Sequence, residues 1–79
     1  MFHVYVLLRE KAGRLYVGST DDVDRRLYQH NEGHSPSTRH GMLWRLMHVE
    51  SFESRARAVW KERFFKISKG REDLRAILV

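Results

Sequence analysis

The sequence predicts an α+β fold: a small three-stranded antiparallel sheet flanked by helices, in the order ββαβα with a short terminal helix. Three observations lead there. The chain opens on two runs with strand periodicity, separated by a short polar turn. Two later stretches carry helix-capping residues followed by apolar residues at helical spacing. A third strand-like run lies between those helices, so strands and helices are mixed rather than strictly alternating.

Residues 2–8 read as the first strand. Phe2, Val4, Val6 and Leu8 alternate with His3, Tyr5 and Leu7, and the run is rich in β-branched and aromatic residues. Arg9 to Gly13 is polar and ends in Gly, as a hairpin turn would. Residues 14–19 form the second strand. The register between the two decides where the tyrosines stand. With Tyr5 opposite Tyr16, both rings share one face, their Cβ atoms roughly 5 Å apart. A slip of one residue, through a bulge at Gly13, would send them to opposite faces.

Asp21 or Asp22 caps the first helix, and Asp24 suits its first turn. Val23, Leu27 and His30 fall on one side, and Asn31 and Gly33 are stop signals. Residues 33–41 form a loop around Pro36. Leu43 to Phe52 is the third strand, with imperfect alternation. Ser54 caps a second helix expected to turn Ala56, Val59, Trp60, Phe64 and Ile67 inward and to end at Gly70. Arg71 to Leu78 makes the terminal helix.

With 79 residues the chain is one domain, 1–79, without repeats, linkers or low-complexity tracts. A domain of this size buries only about 60% of its unfolded surface. There is no cysteine to staple it, so apolar packing carries the fold. The expected core is Phe2, Val4, Val6, Leu8, Leu15, Val17, Leu27, Leu43, Leu46, Val49, Trp60, Phe64 and Ile67. The formal charge of +5 and pI near 10.1 suit a polyanionic partner, although a basic surface also serves solubility. No apolar run approaches the roughly 20 residues of a membrane span. No signal-peptide pattern opens the chain, and the lack of cysteine fits the cytoplasm.

One ordered set of residues goes further. Tyr5, then Tyr16-Val17-Gly18-Ser19-Thr20, Arg25-Arg26-Leu27, Gln29-His30-Asn31 and Glu62 resembles the GIY-YIG nuclease superfamily, and most closely its small single-domain bacterial members. The resemblance covers nearly the whole chain. It departs at His3, where the family has Gly, and at Val17, where it has Ile. An Asn that some members carry after the metal-binding helix has no counterpart between Glu62 and Val79.

The resemblance implies a metal-dependent endonuclease hydrolysing phosphodiester bonds in DNA, with branched or damaged DNA as one class of substrate. In that reading Tyr5 is the general base or positions the attacking water. A free phenol has a pKa of about 10, so its proton must be shared with a neighbour near neutral pH. Tyr16 is its partner. The alternative is that both rings simply pack on the sheet. Arg26 is the phosphate-binding arginine, its planar guanidinium suited to bidentate contact; the alternative is a solvated helix-face residue. His30, one turn from Arg26, shuttles a proton or bonds to the second tyrosine, or else is a buried histidine favoured by the helix dipole. Glu62 is the single metal-binding carboxylate, which suffices for Mg2+ or Mn2+ because such ions keep several waters. Its alternative is a surface pair with Lys66 worth about 0.2–0.5 kcal/mol. Gly18 lets backbone approach the substrate or turn out of the strand. Ser19 and Thr20 cap the first helix or bond phosphate. Arg39, Lys66, Lys69 and Arg71 extend a basic surface, with Gly18, Ser19, Arg39 and Lys66 the substrate-binding candidates. A second function class is a non-catalytic nucleic-acid-binding module. A third is a subunit whose protein partner supplies substrate choice.

Overall fold

The computed structural model describes residues 1–9, 13–32 and 44–78. Strands β1 (Phe2–Arg9) and β2 (Arg14–Thr20) are followed by helix α1 (Val23–Asn31), strand β3 (Trp44–Phe52) and helices α2 (Arg55–Phe65) and α3 (Ser68–Leu78). The three strands form one antiparallel sheet in the order β2-β1-β3. This is the predicted α+β architecture. The loop around Pro36, including Arg39, and Leu43 lie outside the described residues.

The central strand β1 has helices on both sides, so it is apolar on both faces rather than on one. Val4 and Val6 meet Val17, Ala58, Phe65 and Leu74 on the side covered by α2 and α3. Tyr5 and Leu7 meet Trp44, with Tyr16, Val23, Leu27 and Leu46 packed around them, on the side covered by α1. The alternation of residues 2–8 marks two cores, not one core and one solvent face.

Gly13, at φ +62°, supplies the left-handed backbone that opens β2. The resulting register sets Tyr5 opposite Gly18 and Leu7 opposite Tyr16. Tyr5 therefore does not face Tyr16 directly. The offset is two residues, an even number, so both rings stay on the α1 face. In β3 the register shifts between Val6 and Leu7: His48 pairs with Val6 and Leu46 with Leu7, leaving Met47 between them as a bulge. Trp44 and Leu46 thus face α1, and the alternation changes phase after Met47. This accounts for the imperfect pattern in the sequence.

The caps form as expected. Asp22 accepts a hydrogen bond from the Arg25 backbone N–H at 3.0 Å, and Ser54 accepts one from Arg57 at 3.2 Å. Two expectations fail. First, α2 is rotated. Ala58 and Phe65 are its buried residues, while Trp60 is 64% and Ile67 56% exposed. Apolar residues surround this helix and define no single stripe. Trp60 lies two positions from Ala58, on the other side of the helix, and stacks on Phe64 at 5.5 Å, while Phe64 itself is half-buried and packs against the core as expected. Leu15 and Val49, also expected inside, are partly exposed. Second, Gly70 does not end α2. It lies inside α3, where a Cβ would run into the Phe64 carbonyl and crowd the Phe65 Cα. Gly70 permits the close approach of α3 to the end of α2.

Candidate active site

The rotation of α2 matters for the site. Ala58, Glu62 and Phe65 are spaced i, i+4, i+7, so they form one stripe, and that stripe faces the sheet. Glu62 is thereby held against β2, where its Oε1 accepts a hydrogen bond from Ser19 Oγ at 2.6 Å. Its Oε2 accepts one from Lys66 Nζ at 2.7 Å. Burial pushes the Glu62 pKa up, but the bonds from Lys66 and Ser19 and the charges of Lys66 and Arg63 outweigh it, so the net shift is downward. Glu62 is a carboxylate at neutral pH.

On the other face, α1 and the strands assemble Tyr5, Tyr16, Arg26 and His30. The Tyr5 hydroxyl and His30 Nε2 are 3.0 Å apart. Thus His30 bonds to the first tyrosine, not the second as one expectation had it. It packs against the ring of Tyr16, with centroids 4.6 Å apart. The two tyrosine rings are 6.2 Å apart. Tyr5 and His30 are each 1% exposed, whereas Tyr16 and Arg26 are only half-buried. Burial raises the Tyr5 pKa above its ordinary 10.0 despite the opposing pull of Arg26. Burial, then the charge of Arg26, lowers that of His30 below 6.5. Near neutral pH the pair is a neutral phenol beside a neutral imidazole.

Gly18 has a specific task here. A Cβ at this position would lie 2.6 Å from the Tyr5 hydroxyl and 2.7 Å from its Cζ. The room left by the missing side chain is filled by the Tyr5 phenol.

Three further residues of the matching set make supporting contacts. Gln29 Oε1 accepts from Arg26 at 2.9 Å and steadies the guanidinium. Asn31, the last residue of α1, accepts from the Trp44 backbone N–H at 2.7 Å and donates to the Trp44 carbonyl at 3.3 Å. Its amide therefore ties α1 to the start of β3. Thr20 Oγ1 accepts from the Asp22 backbone N–H at 3.1 Å, which orients the turn into α1.

The four residues on α1's side and Glu62 do not share one face of the sheet. They straddle its edge strand, β2. Around the end of that strand runs a cleft of about 320 Å³ lined by Ser19, Thr20, Arg26, Arg55 and neighbouring residues. Arg26 comes to it from α1's side, and Ser19, the partner of Glu62, from α2's side. Among the described residues no group of three His, Cys, Asp or Glu side chains could hold a metal. The ionised, partly exposed Glu62 is a single hard oxygen ligand of the kind that suits a hydrated Mg2+ or Mn2+. Among the described residues, no helix is long and apolar enough to cross a membrane.

The chain matches the family model described as the GIY-YIG catalytic domain over residues 1–74. It is similar to a UPF0213 protein of Halobacterium salinarum, 37% identical over 75 residues, covering 92% of this chain and 96% of the relative. A UPF0213 protein of Streptococcus agalactiae is 42% identical over 65 residues, 81% of this chain and 73% of the relative. One from Bacillus licheniformis is 32% identical over 65 residues, 81% of this chain and 67% of the relative. No solved structure matches. Sheet topology and sequence matches agree: the chain belongs to the GIY-YIG family of nuclease domains, alongside the UPF0213 proteins.

Proposed function

We propose that this protein is a divalent-metal-dependent endonuclease that hydrolyses phosphodiester bonds in DNA. The observation that carries the reading is the buried Tyr5–His30 hydrogen bond of 3.0 Å with Tyr16 and Arg26 beside it. A sheet needs no such cluster for packing, and a buried polar pair has to be built with both partners satisfied.

Burial divides the labour. Tyr16, Arg26, Ser19 and Glu62 are accessible, so they are the groups that meet substrate. Arg26 holds the phosphate and offsets the charge that builds on its oxygens. Tyr16 presents its hydroxyl to the attacking water. Tyr5 and His30 act behind it. The attacking water gives its proton to the Tyr16 oxygen as the Tyr16 hydroxyl proton passes to the Tyr5 oxygen and the Tyr5 proton to Nε2 of His30, the neutral Nδ1–H tautomer; the lowered pKa of His30 makes it return that proton along the same path, to the leaving oxygen. No free tyrosinate is needed, which matters because the raised pKa of Tyr5 disfavours one. Glu62 is the residue that would hold Mg2+ or Mn2+, and the ion would supply charge neutralisation at the phosphate and leaving oxygen. Ser19 orients that carboxylate.

The test is cleavage of supercoiled, nicked and branched DNA by purified protein with Mg2+, Mn2+ or chelator. The wild type should cut only with metal, and Glu62→Ala and Tyr16→Phe should each lose most of the activity. Equal residual cleavage by wild type and Glu62→Ala would identify the activity as a contaminant and end the enzymatic reading.

A further inference from the structure

A second cleft, of about 570 Å³, lies on the outer side of β2, between that strand and the end of α2 with α3. Its lining carries four cations, Arg14, Lys66, Arg71 and Arg75, and no carboxylate. Lys66 is engaged by Glu62. Among the described residues none of Arg14, Arg71 and Arg75 has an ion-pair partner. Three unneutralised guanidinium groups around one concavity repel each other unless an anion separates them.

Their placement is built into the fold. Arg71 and Arg75 are i, i+4 on α3 and flank Leu74, which is buried against the sheet. Packing of Leu74 therefore fixes both arginines at the rim. Arg14 comes from the first residue of β2, directly after the positive-φ Gly13. Because β2 is an edge strand, half of its backbone N–H and C=O groups point away from the ladder and are open to a ligand. The cleft is also continuous with the candidate active site: Tyr16 lines it, and Lys66 joins it to Glu62.

We infer that this cleft binds the sugar–phosphate backbone of the DNA strand flanking the scissile phosphate, with Arg14, Arg71 and Arg75 contacting successive phosphates. The inference rests on the nuclease reading above and adds to it the path of the bound strand. It also gives so small a domain a means of holding substrate through backbone contacts alone, which position a strand without reading its sequence.

The experiment measures binding of a labelled DNA duplex and of its single strand over a range of salt, in a Glu62→Ala background that prevents cutting. Each lost phosphate contact makes the slope of log affinity against log salt shallower by about 0.9 on duplex and about 0.7 on single strands. Arg71→Ala/Arg75→Ala should bind more weakly, with the slope reduced by roughly twice that amount. Arg57→Ala, exposed on α2 and away from the cleft, should retain the parent slope. Arg71→Gln/Arg75→Gln replaces the alanine variant if thermal unfolding shows that variant to be misfolded. A parent slope in the folded double variant, with wild-type protein still binding and cutting DNA, overturns the cleft and leaves the nuclease reading intact. Wild-type protein that neither binds nor cuts DNA removes both.

Discussion

The Tyr5 phenol lies directly over Gly18: a Cβ on residue 18 would come within 2.6 Å of the Tyr5 hydroxyl oxygen. The glycine of the second tyrosine motif is thus defined by the tyrosine of the first. The consequence is steep. Gly18→Ala must tilt the Tyr5 ring or shift β2, and overpacking of this kind costs about 1–3 kcal/mol. It should also lengthen the Tyr5–His30 bond, so cleavage should fall further than the loss of folded protein explains. Thermal unfolding and cleavage at a temperature where the variant is fully folded separate the two effects. Full activity in a folded Gly18→Ala would show that the ring's position is not needed.

Tyr5 and His30 should behave as a unit. Tyr5→Phe removes the hydroxyl bonded to His30 Nε2, and a buried polar atom that loses its hydrogen bond costs about 1–3 kcal/mol. His30→Gln should cost a similar amount. Because both remove the same bond, the double variant should be less destabilised than the sum, with a coupling of about 0.5–3 kcal/mol. Denaturant midpoints for the four proteins complete the cycle. Strict additivity would mean that the 3.0 Å bond contributes nothing to stability.

Stability should also depend on pH with a defined sign. The folded pKa of His30 lies below its ordinary 6.5. Above that value neither state holds the proton. Below it the unfolded chain binds the proton first, so stability falls as pH drops. Glu62, depressed below 4.5, adds a second loss at lower pH. Tyr5 has the opposite sign: raised above 10.0, it contributes stability that is lost as pH rises past the unfolded value. The urea midpoint should therefore be level between these limits and fall on both sides. His30→Gln should remove the limb that begins near 6.5. A wild-type midpoint that stays level from pH 7 down to pH 5 would contradict the buried neutral imidazole.

Much of this was legible in the sequence, for identifiable reasons. Caps at Asp22 and Ser54 are local, so the residues that make them are adjacent in the chain. The Tyr5, Tyr16 and His30 cluster needed only parity along two strands and one helix face. What was not legible depends on packing at a distance. The bulge at Met47 is set by register against β1. The rotation of α2 is chosen by which side can seat Ala58 and Phe65, and a helix whose apolar residues form no single stripe does not announce it. The same rotation gives Glu62 its place against Ser19, so motif order pointed to the residue while only packing explains its direction. Gly70 carried the signal of a helix end, but its role is steric contact with another helix.

Gly70 gives a sharp test of that last point. A Cβ there meets the Phe64 carbonyl and the Phe65 Cα, both backbone atoms that cannot swing aside. On a free helix Gly→Ala would gain about 0.5–1 kcal/mol. Here it should destabilise by several kcal/mol, because α3 must move off α2. A rise in melting temperature for Gly70→Ala would mean that the two helices do not pack this closely.

If Glu62 holds the metal, Lys66 should tune how tightly it binds. Its ammonium occupies Glu62 Oε2 at 2.7 Å, on the carboxylate that would hold the ion. A metal arriving at Glu62 must compete with that ion pair. Removing the lysine has two opposed effects. The Glu62 pKa rises, since Lys66 is a principal group holding it down, yet at pH 7 the carboxylate remains ionised because the Ser19 hydrogen bond and the Arg63 charge still oppose burial on a group that starts near 4.5. Competition then decides the outcome, and Lys66→Ala should bind Mn2+ more tightly than wild type at neutral pH. The advantage should shrink as pH falls towards the Glu62 pKa, where protons replace the lysine as competitor. Titration followed by Mn2+ electron paramagnetic resonance measures this directly, with Glu62→Ala as the non-binding reference. Weaker Mn2+ binding in Lys66→Ala would place the metal elsewhere or make Lys66 a support of the site rather than a competitor for it.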